Sequence, residues 1–342
     1  MSAITYKCPN CPANLRLDPQ TQKFVCDFCG SSFTLDELTK KEPAPQTKTD
    51  DFNKQTRLYH CQNCGAEVFT DDTTAATFCI YCHSPVVLSG ELSGDFKPDQ
   101  VIPFKVSKEE VKEKLMLWCR KKKFIDSAFI DSAQLEKLSG VYFPYFIVDG
   151  KVQGSMHRRG KKIRTWRQGN YRYTQTDTYQ IDREGEIAFE DIPINALNKE
   201  HTYILNGIQP FEQKKAVPFE MAYLAGFMAD KRNIEKQDAM PTVQAIASDF
   251  TRAQFNQSAQ GYVSFGAGDE NYKLTKTVFS YVLMPAWMLT YNYGKSQFFF
   301  AMNGDSGKIA GRVPLSKKKL LGLFIGLTAA VFAAMLGLGA IL

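Results

Sequence analysis

Histidine is scarce: the 342-residue chain has four. They are scattered, and none stands at an acid–base spacing from a carboxylate, so imidazole catalysis has little material. A Ser-His-Asp triad assembles in space and leaves no spacing to read; nothing here points to one. A phosphate loop is missing too. Asn303-Gly304-Asp305-Ser306-Gly307-Lys308 has a superficial likeness, but Met302 stands where the first glycine belongs and Ile309 where the Mg2+-binding hydroxyl belongs. That stretch is expected to be a strand turn. The nine cysteines are too few and too clustered for a secreted disulfide scaffold. No signal peptide is visible in residues 1–7. Long hydrophobic runs are missing until the last stretch, 320–342, whose one strongly polar side chain is Thr328. With 44% hydrophobic and 23% charged residues, general disorder and fibrous repeats are excluded, and the mildly polar mean hydropathy excludes a polytopic membrane protein.

The net charge of +6 is unevenly placed. The excess of cations lies in 95–170 and just before the hydrophobic tail, whereas residues 1–94 carry 8 basic and 11 acidic side chains.

Eight cysteines form two blocks, Cys8, Cys11, Cys26, Cys29 and Cys61, Cys64, Cys79, Cys82. Each reads C-x2-C-x14-C-x2-C, and the second repeats the first at an offset of 53 residues. The flanks repeat as well: Tyr6/Tyr59, Asn10/Asn63, Ala13/Ala66, Asp18/Asp71, Thr21/Thr74, Ser31/Ser84 and Leu35/Leu88. Each CxxC turn aims two thiolates at one point, and a hairpin brings the second pair opposite. Four thiolates close a tetrahedral Zn2+ site with no open position, so two structural zinc ions are expected. About 30 residues cannot bury a self-sufficient core, and metal binding supplies the stability. A thioredoxin-like dithiol stands alone before a helix, and iron–sulfur spacing is tighter or uneven. His83 adjoins Cys82, but the repeat register favours Cys82 as the ligand. Asp18-Pro19 and Asp71-Asp72 fall at the expected hairpin turns. Few cations accompany the ribbons, which favours protein recognition over nucleic acid. The aromatics Phe24, Phe28, Phe69 and Tyr81 suit either a protein contact or the hairpin core.

The stretch 320–342 as a helix would reach about 34 Å, against about 30 Å of bilayer hydrocarbon. Lys317, Lys318 and Lys319 precede it, which by the positive-inside rule leaves the N-terminal part cytoplasmic. Gly322, Gly326, Ala330 and Ala334 recur every four residues, either as a helix-pairing face towards a copy of itself or another membrane protein, or as ordinary small-residue usage.

Between ribbons and tail, Thr34-x-x-Glu37 and Ser107-x-x-Glu110 predict capped helices. Val111, Leu115, Trp118 and Cys119 mark one helical face, with Cys119 filling the core. A second helix is predicted from near Pro241, with Val243, Ile246, Phe250 and Ala253 inward. Strands are predicted over 141–148, 164–181, 262–265, 276–293 and 297–302. Arg158, Arg159, Lys161, Lys162, Arg164, Arg167 and Arg172, interleaved with Trp166, Tyr171 and Tyr173, are candidates for contact with lipid headgroups or other anions. A solvated hairpin, or stacking on nucleic acid, uses the same residues.

The segments Tyr6-Lys-Cys-Pro-Asn-Cys, Ala75-Ala-Thr-Phe-Cys-Ile-Tyr-Cys, Gly94-Asp-Phe-Lys-Pro-Asp, Val101-Ile-Pro-Phe-Lys, Arg164-Thr-Trp and Ala301-Met-Asn-Gly-Asp-Ser-Gly-Lys occur in that order. Together they resemble the YdjG-like membrane proteins of bacilli, which carry zinc ribbons of the transcription-factor-IIB type. The resemblance implies an envelope-stress role, with SPFH and PspA-like proteins as partners. Pro12 and His83 depart from glycines usual in the knuckles, which puts equal metal affinity of the two ribbons in doubt.

The expectation is an α+β protein: zinc ribbon 1 (1–39), a linker (40–56), zinc ribbon 2 (57–92), an antiparallel-sheet α+β body of two similar lobes (93–316) and a transmembrane anchor (317–342). Its expected work is that of a non-enzymatic adaptor at the cell membrane. The alternative is a membrane-tethered nucleic-acid-binding or transcription-linked protein.

Overall fold

The computed structural model describes residues 3–4, 6–11, 13–39, 56–61, 67–71, 73–79, 84–88, 92, 94–122, 124–125, 138–199, 202–293 and 296–339. Of these, the backbone alone is described at 3–4, 39, 56–60, 67–69, 71, 94, 291–293, 296–297, 317 and 333–339. The chain forms two compact units, Met1–Phe143 with Lys199–Lys231 and Leu283–Leu342, and Pro144–Asn198 with Arg232–Val282.

The elements begin with β1 (Ala3–Ile4), β2 (Leu15–Asp18), β3 (Lys23–Cys26), β4 (Ser32–Phe33) and α1 (Leu35–Thr39). Next come β5 (Thr56–His60), β6 (Glu67–Asp71), β7 (Thr74–Phe78), β8 (Pro85–Leu88), β9 (Gln100–Val101) and α2 (Lys108–Arg120). The long β10 (Ser139–Gln168) and β11 (Tyr171–Asn195) precede β12 (Val217–Pro218), β13 (Met228–Asp230) and α3 (Lys236–Ser258). The chain continues through β14 (Ser264–Tyr293), β15 (Ser296–Asn303) and β16 (Ile309–Gly311) to α4 (Lys317–Gly339).

In the first unit the main sheet runs β1-β8-β7-β13-β10-β14-β15-β16. It is mixed: β10 and β13 are parallel, while β7–β8, β7–β13 and β14–β15 are antiparallel. Its core is aromatic. Phe104 stacks on Phe227 with centroids 4.1 Å apart, and Tyr142 and Trp287 meet Phe104 edge-on at 4.9 and 5.2 Å. Trp287 keeps its indole N–H satisfied by donating to the Val106 carbonyl at 2.9 Å. The predicted capping box starts α2: Ser107 accepts from the Glu110 N–H, and Glu110 accepts from the Ser107 N–H. Val111, Leu115 and Cys119 face inward from it.

In the second unit β10 and β11 form a hairpin in register from Tyr145↔Asn195 to Gln168↔Tyr171. The predicted strand 164–181 is interrupted where Gly169, at φ +61°, turns the chain back. Along β10 the residues Val152, Gly154, Met156 and Gly160 are buried while their neighbours point to solvent. The buried face meets α3 and the segment after it; Met156, Ile181, Phe255 and Ala259 form its core. The side of α3 turned inward carries Ala239, Val243, Ala247, Thr251 and Phe255. The helix begins five residues before Pro241, and the side it buries is not the predicted one: Val243 is inward, but Ile246, Phe250 and Ala253 lie exposed.

Two expectations are corrected. The body is not a pair of similar lobes with a helix on each antiparallel sheet. Strands predominate, in a large mixed sheet and long ribbons, because strands far apart in sequence pair: β7 with β13, and β10 with both β13 and β14. The transmembrane anchor is also withdrawn: among the described residues no helix is long and apolar enough to cross a membrane. The three lysines belong to α4 itself, and the Lys319 ammonium donates to the Ile125 carbonyl at 2.8 Å.

Candidate metal centre

The first ribbon is built from two knuckles on a small sheet. Leu15, Leu17 and Phe24 alternate inward on β2 and β3, pinning that hairpin. Ahead of β2, a bridge between Lys7 and Asn14 and a bond from the Cys8 N–H to the Ala13 carbonyl (2.8 Å) fold the first CxxC turn. After β3, the Cys26 N–H donates to Ser31 and the Gly30 N–H to Cys26, both at 2.9 Å. Gly30 takes φ +71°, a conformation that costs it no Cβ clash. Asn10 ties the knuckles together, its amide donating to the Ser31 hydroxyl at 3.0 Å.

This places the sulfurs of Cys8, Cys11, Cys26 and Cys29 within 4.8 Å of one another. Cys8–Cys29 and Cys11–Cys26 are 3.6 and 3.5 Å apart, too far for disulfides. A tetrahedron with metal–sulfur bonds near 2.3 Å has edges of about 3.8 Å, so the four thiols fit one four-coordinate ion. Their acidities point the same way. The Ser31 hydroxyl and then its amide draw Cys29 down to about 6. For Cys11 a hydrogen bond from the Ala13 backbone amide pulls down, yet burial and the other three thiols push it up to about 12. Four sulfurs this close cannot all ionise unless a cation sits among them.

The second repeat is described in part. Cys61 and Cys79 are buried, while Cys64 and Cys82 lie outside the described residues, as do Pro12 and His83. The backbone nevertheless repeats at the 53-residue offset. Lys7↔Asn14 recurs as His60↔Glu67, and Phe24↔Phe33 as Thr77↔Val86. The 2.9 Å bond from Cys26 N–H to Ser31 recurs from Cys79 N–H to Ser84. One pairing differs. In the first ribbon β3 pairs with β2, whereas β7 pairs on its other side with β13, matching Ala76 to Ala229.

Other candidates sort as follows. Phe24 is core and Phe28 is 82% exposed; the side chains of Phe69 and Tyr81 are not described. Arg158 is drawn into an ion pair with Glu270. Arg159, Lys161, Arg164, Arg167 and Arg172 are exposed along the hairpin. Lys318 is exposed; Lys317 and Ala334 have no described side chain. Gly322 and Gly326 face open space, so the small-residue stripe with Ala330 has no partner among the described residues. The 303–308 stretch is the expected turn between β15 and β16. Asn303 accepts from the N–H groups of Asp305 and Ser306 at 2.9 and 3.0 Å, which leaves those amides no role in cradling phosphate. The Asn10–Ser31 clamp was not singled out from sequence, though its signal was present: both residues recur as Asn63 and Ser84.

A four-thiol centre closed by paired knuckles, with its backbone pairings repeated 53 residues on, defines a cysteine-knuckle protein. The chain is 30% identical over 333 residues to the uncharacterized protein YdjG of Bacillus subtilis (strain 168), covering 97% of this chain and 96% of that protein. It belongs to the YdjG family. No family model and no solved structure matches the chain.

Proposed function

We propose that this protein is a non-enzymatic adaptor that docks partner proteins on zinc-closed ribbons. The observation that carries this reading is Phe28. It sits between two candidate metal ligands, Asp27 separating it from Cys26, and its ring is 82% exposed on a turn that the metal makes rigid. A pre-organised aromatic loses little entropy on binding and contributes most where it fills a partner's pocket. Zinc suits four thiolates and no open position, and a closed site supplies structure rather than reaction. The repeated knuckle at Cys79 supports a second ion. The ribbon's one arginine, Arg16, is held by Asp27 at 2.8 Å, so little free positive charge remains for a phosphate backbone. Partners of the SPFH and PspA-like kinds, at the cytoplasmic face of the cell membrane, are the first to test.

The test is affinity purification from native cells with Phe28→Ala beside the parent chain. The variant is expected to keep its zinc and lose at least one protein partner by ten-fold or more. An unchanged partner list would remove the ribbon from recognition.

A further inference from the structure

From Asp149 to Asp177 the chain carries eight cations and no acid between those two residues. The β10–β11 register shows how they are arranged. Trp166 pairs with Tyr173, their rings stacked at 5.6 Å and 14°. On the same face, two residues back along the strand each time, stand Arg164 and Lys162. The Lys162 ammonium lies 5.3 Å from the Tyr179 ring centroid and 5.0 Å from that of Tyr262. The opposite face carries Lys161 and the facing pair Arg167↔Arg172. Like charges directly opposite repel and are poor for a hairpin on its own. Among the described residues, Arg164, Arg167 and Arg172 have no acidic partner. Packing onto the buried face ends at Gly160, where Tyr262 lies; beyond Lys162 both faces are bare.

We infer that this hairpin tip is a docking element for an anionic lipid surface. Tryptophan and tyrosine beside arginine and lysine is the composition that settles at the headgroup layer. Cations on both faces suit a tip dipping among phosphates from all sides. A nucleic-acid strand would instead lie along one face and need a free ring per base, and Trp166 and Tyr173 already stack on each other. The inference rests on the second unit alone and is independent of the adaptor reading.

The test is flotation of the full chain with phosphatidylcholine vesicles, with and without phosphatidylglycerol. The parent is expected to bind the anionic vesicles more tightly, with the gain falling as salt rises. Arg164→Gln/Arg167→Gln/Arg172→Gln should cut that gain roughly 100-fold, about five-fold per cation. Arg164→Gln alone should give about five-fold, should the triple variant fold poorly. The apolar side chains of α4 are common to all of these proteins, so the difference reports the tip. Equal binding to both vesicles, or an unchanged gain in the variants, would overturn the inference. So would a salt-steep affinity for single-stranded oligonucleotide that displaces the vesicles.

Discussion

Asn303 is fully buried, and both ends of its amide are engaged. Its Nδ2 donates to the Ile208 and Pro210 carbonyls at 3.0 and 3.2 Å, while its Oδ1 holds two turn amides. Next to it, buried Asp305 accepts from the Lys215 ammonium at 3.0 Å. Asn303→Ala leaves several buried groups unpaired and should cost about 2–4 kcal/mol in urea unfolding. Cys119 shows the opposite case, a polar atom kept neutral. Burial raises its thiol from 9.0 to about 11. The unfolded chain therefore releases this proton first, so stability is full below pH 9.0 and declines as pH rises towards about 11. Burial also raises the Tyr142 hydroxyl, which adds to alkaline loss in the same direction. Cys119→Val should flatten part of that decline in pH-dependent urea melts. The core role of Cys119 was legible in the helical period around it. The role of Asn303 was not, because its partners Ile208 and Pro210 lie more than ninety residues away in sequence.

At the scale of elements, glycine sets how closely helix and ribbon approach. A Cβ on Gly154 would meet Thr251 Cγ2 at 2.9 Å and Phe255 at 3.0 Å, both on α3. Its cross-strand partner Gly185 has nothing within 4 Å of the same position. Gly154→Val should destabilise the protein by about 1–3 kcal/mol. Gly185→Ala should leave it within about 0.5 kcal/mol of the parent or raise it, and urea midpoints separate the two outcomes. The capping boxes were legible because a box is local: Thr34 and Glu37 meet at 2.7 Å at the start of α1, as their spacing predicts. The buried side of α3 was not, since it is lined largely by the small Ala239, Ala247 and Thr251, which carry less apolar signal than the exposed Ile246 and Phe250. The length of β10 was hidden because Gly150, Gly154 and Gly160 punctuate 149–163, between the two predicted strands, and glycine reads as a strand breaker.

At the scale of the whole molecule, one repeated module is used in two ways. The cysteine spacing made both copies legible, since metal geometry tolerates few spacings. What spacing could not show is that β7 takes β13 as a sheet neighbour, a pairing across some 150 residues. The same non-local pairing turned an expected α+β body into a large mixed sheet. The first copy keeps its own hairpin and leaves Phe28 outside, and that rigid aromatic is the basis of the adaptor reading. All of this depends on metal at Cys8, Cys11, Cys26 and Cys29, which makes metal content the direct measurement. Elemental analysis of the purified full chain should find two zinc ions, falling to one in Cys26→Ser/Cys29→Ser, with that variant losing the partners that depend on Phe28. A chain that folds and binds those partners without zinc would contradict the account, as would disulfides among these cysteines.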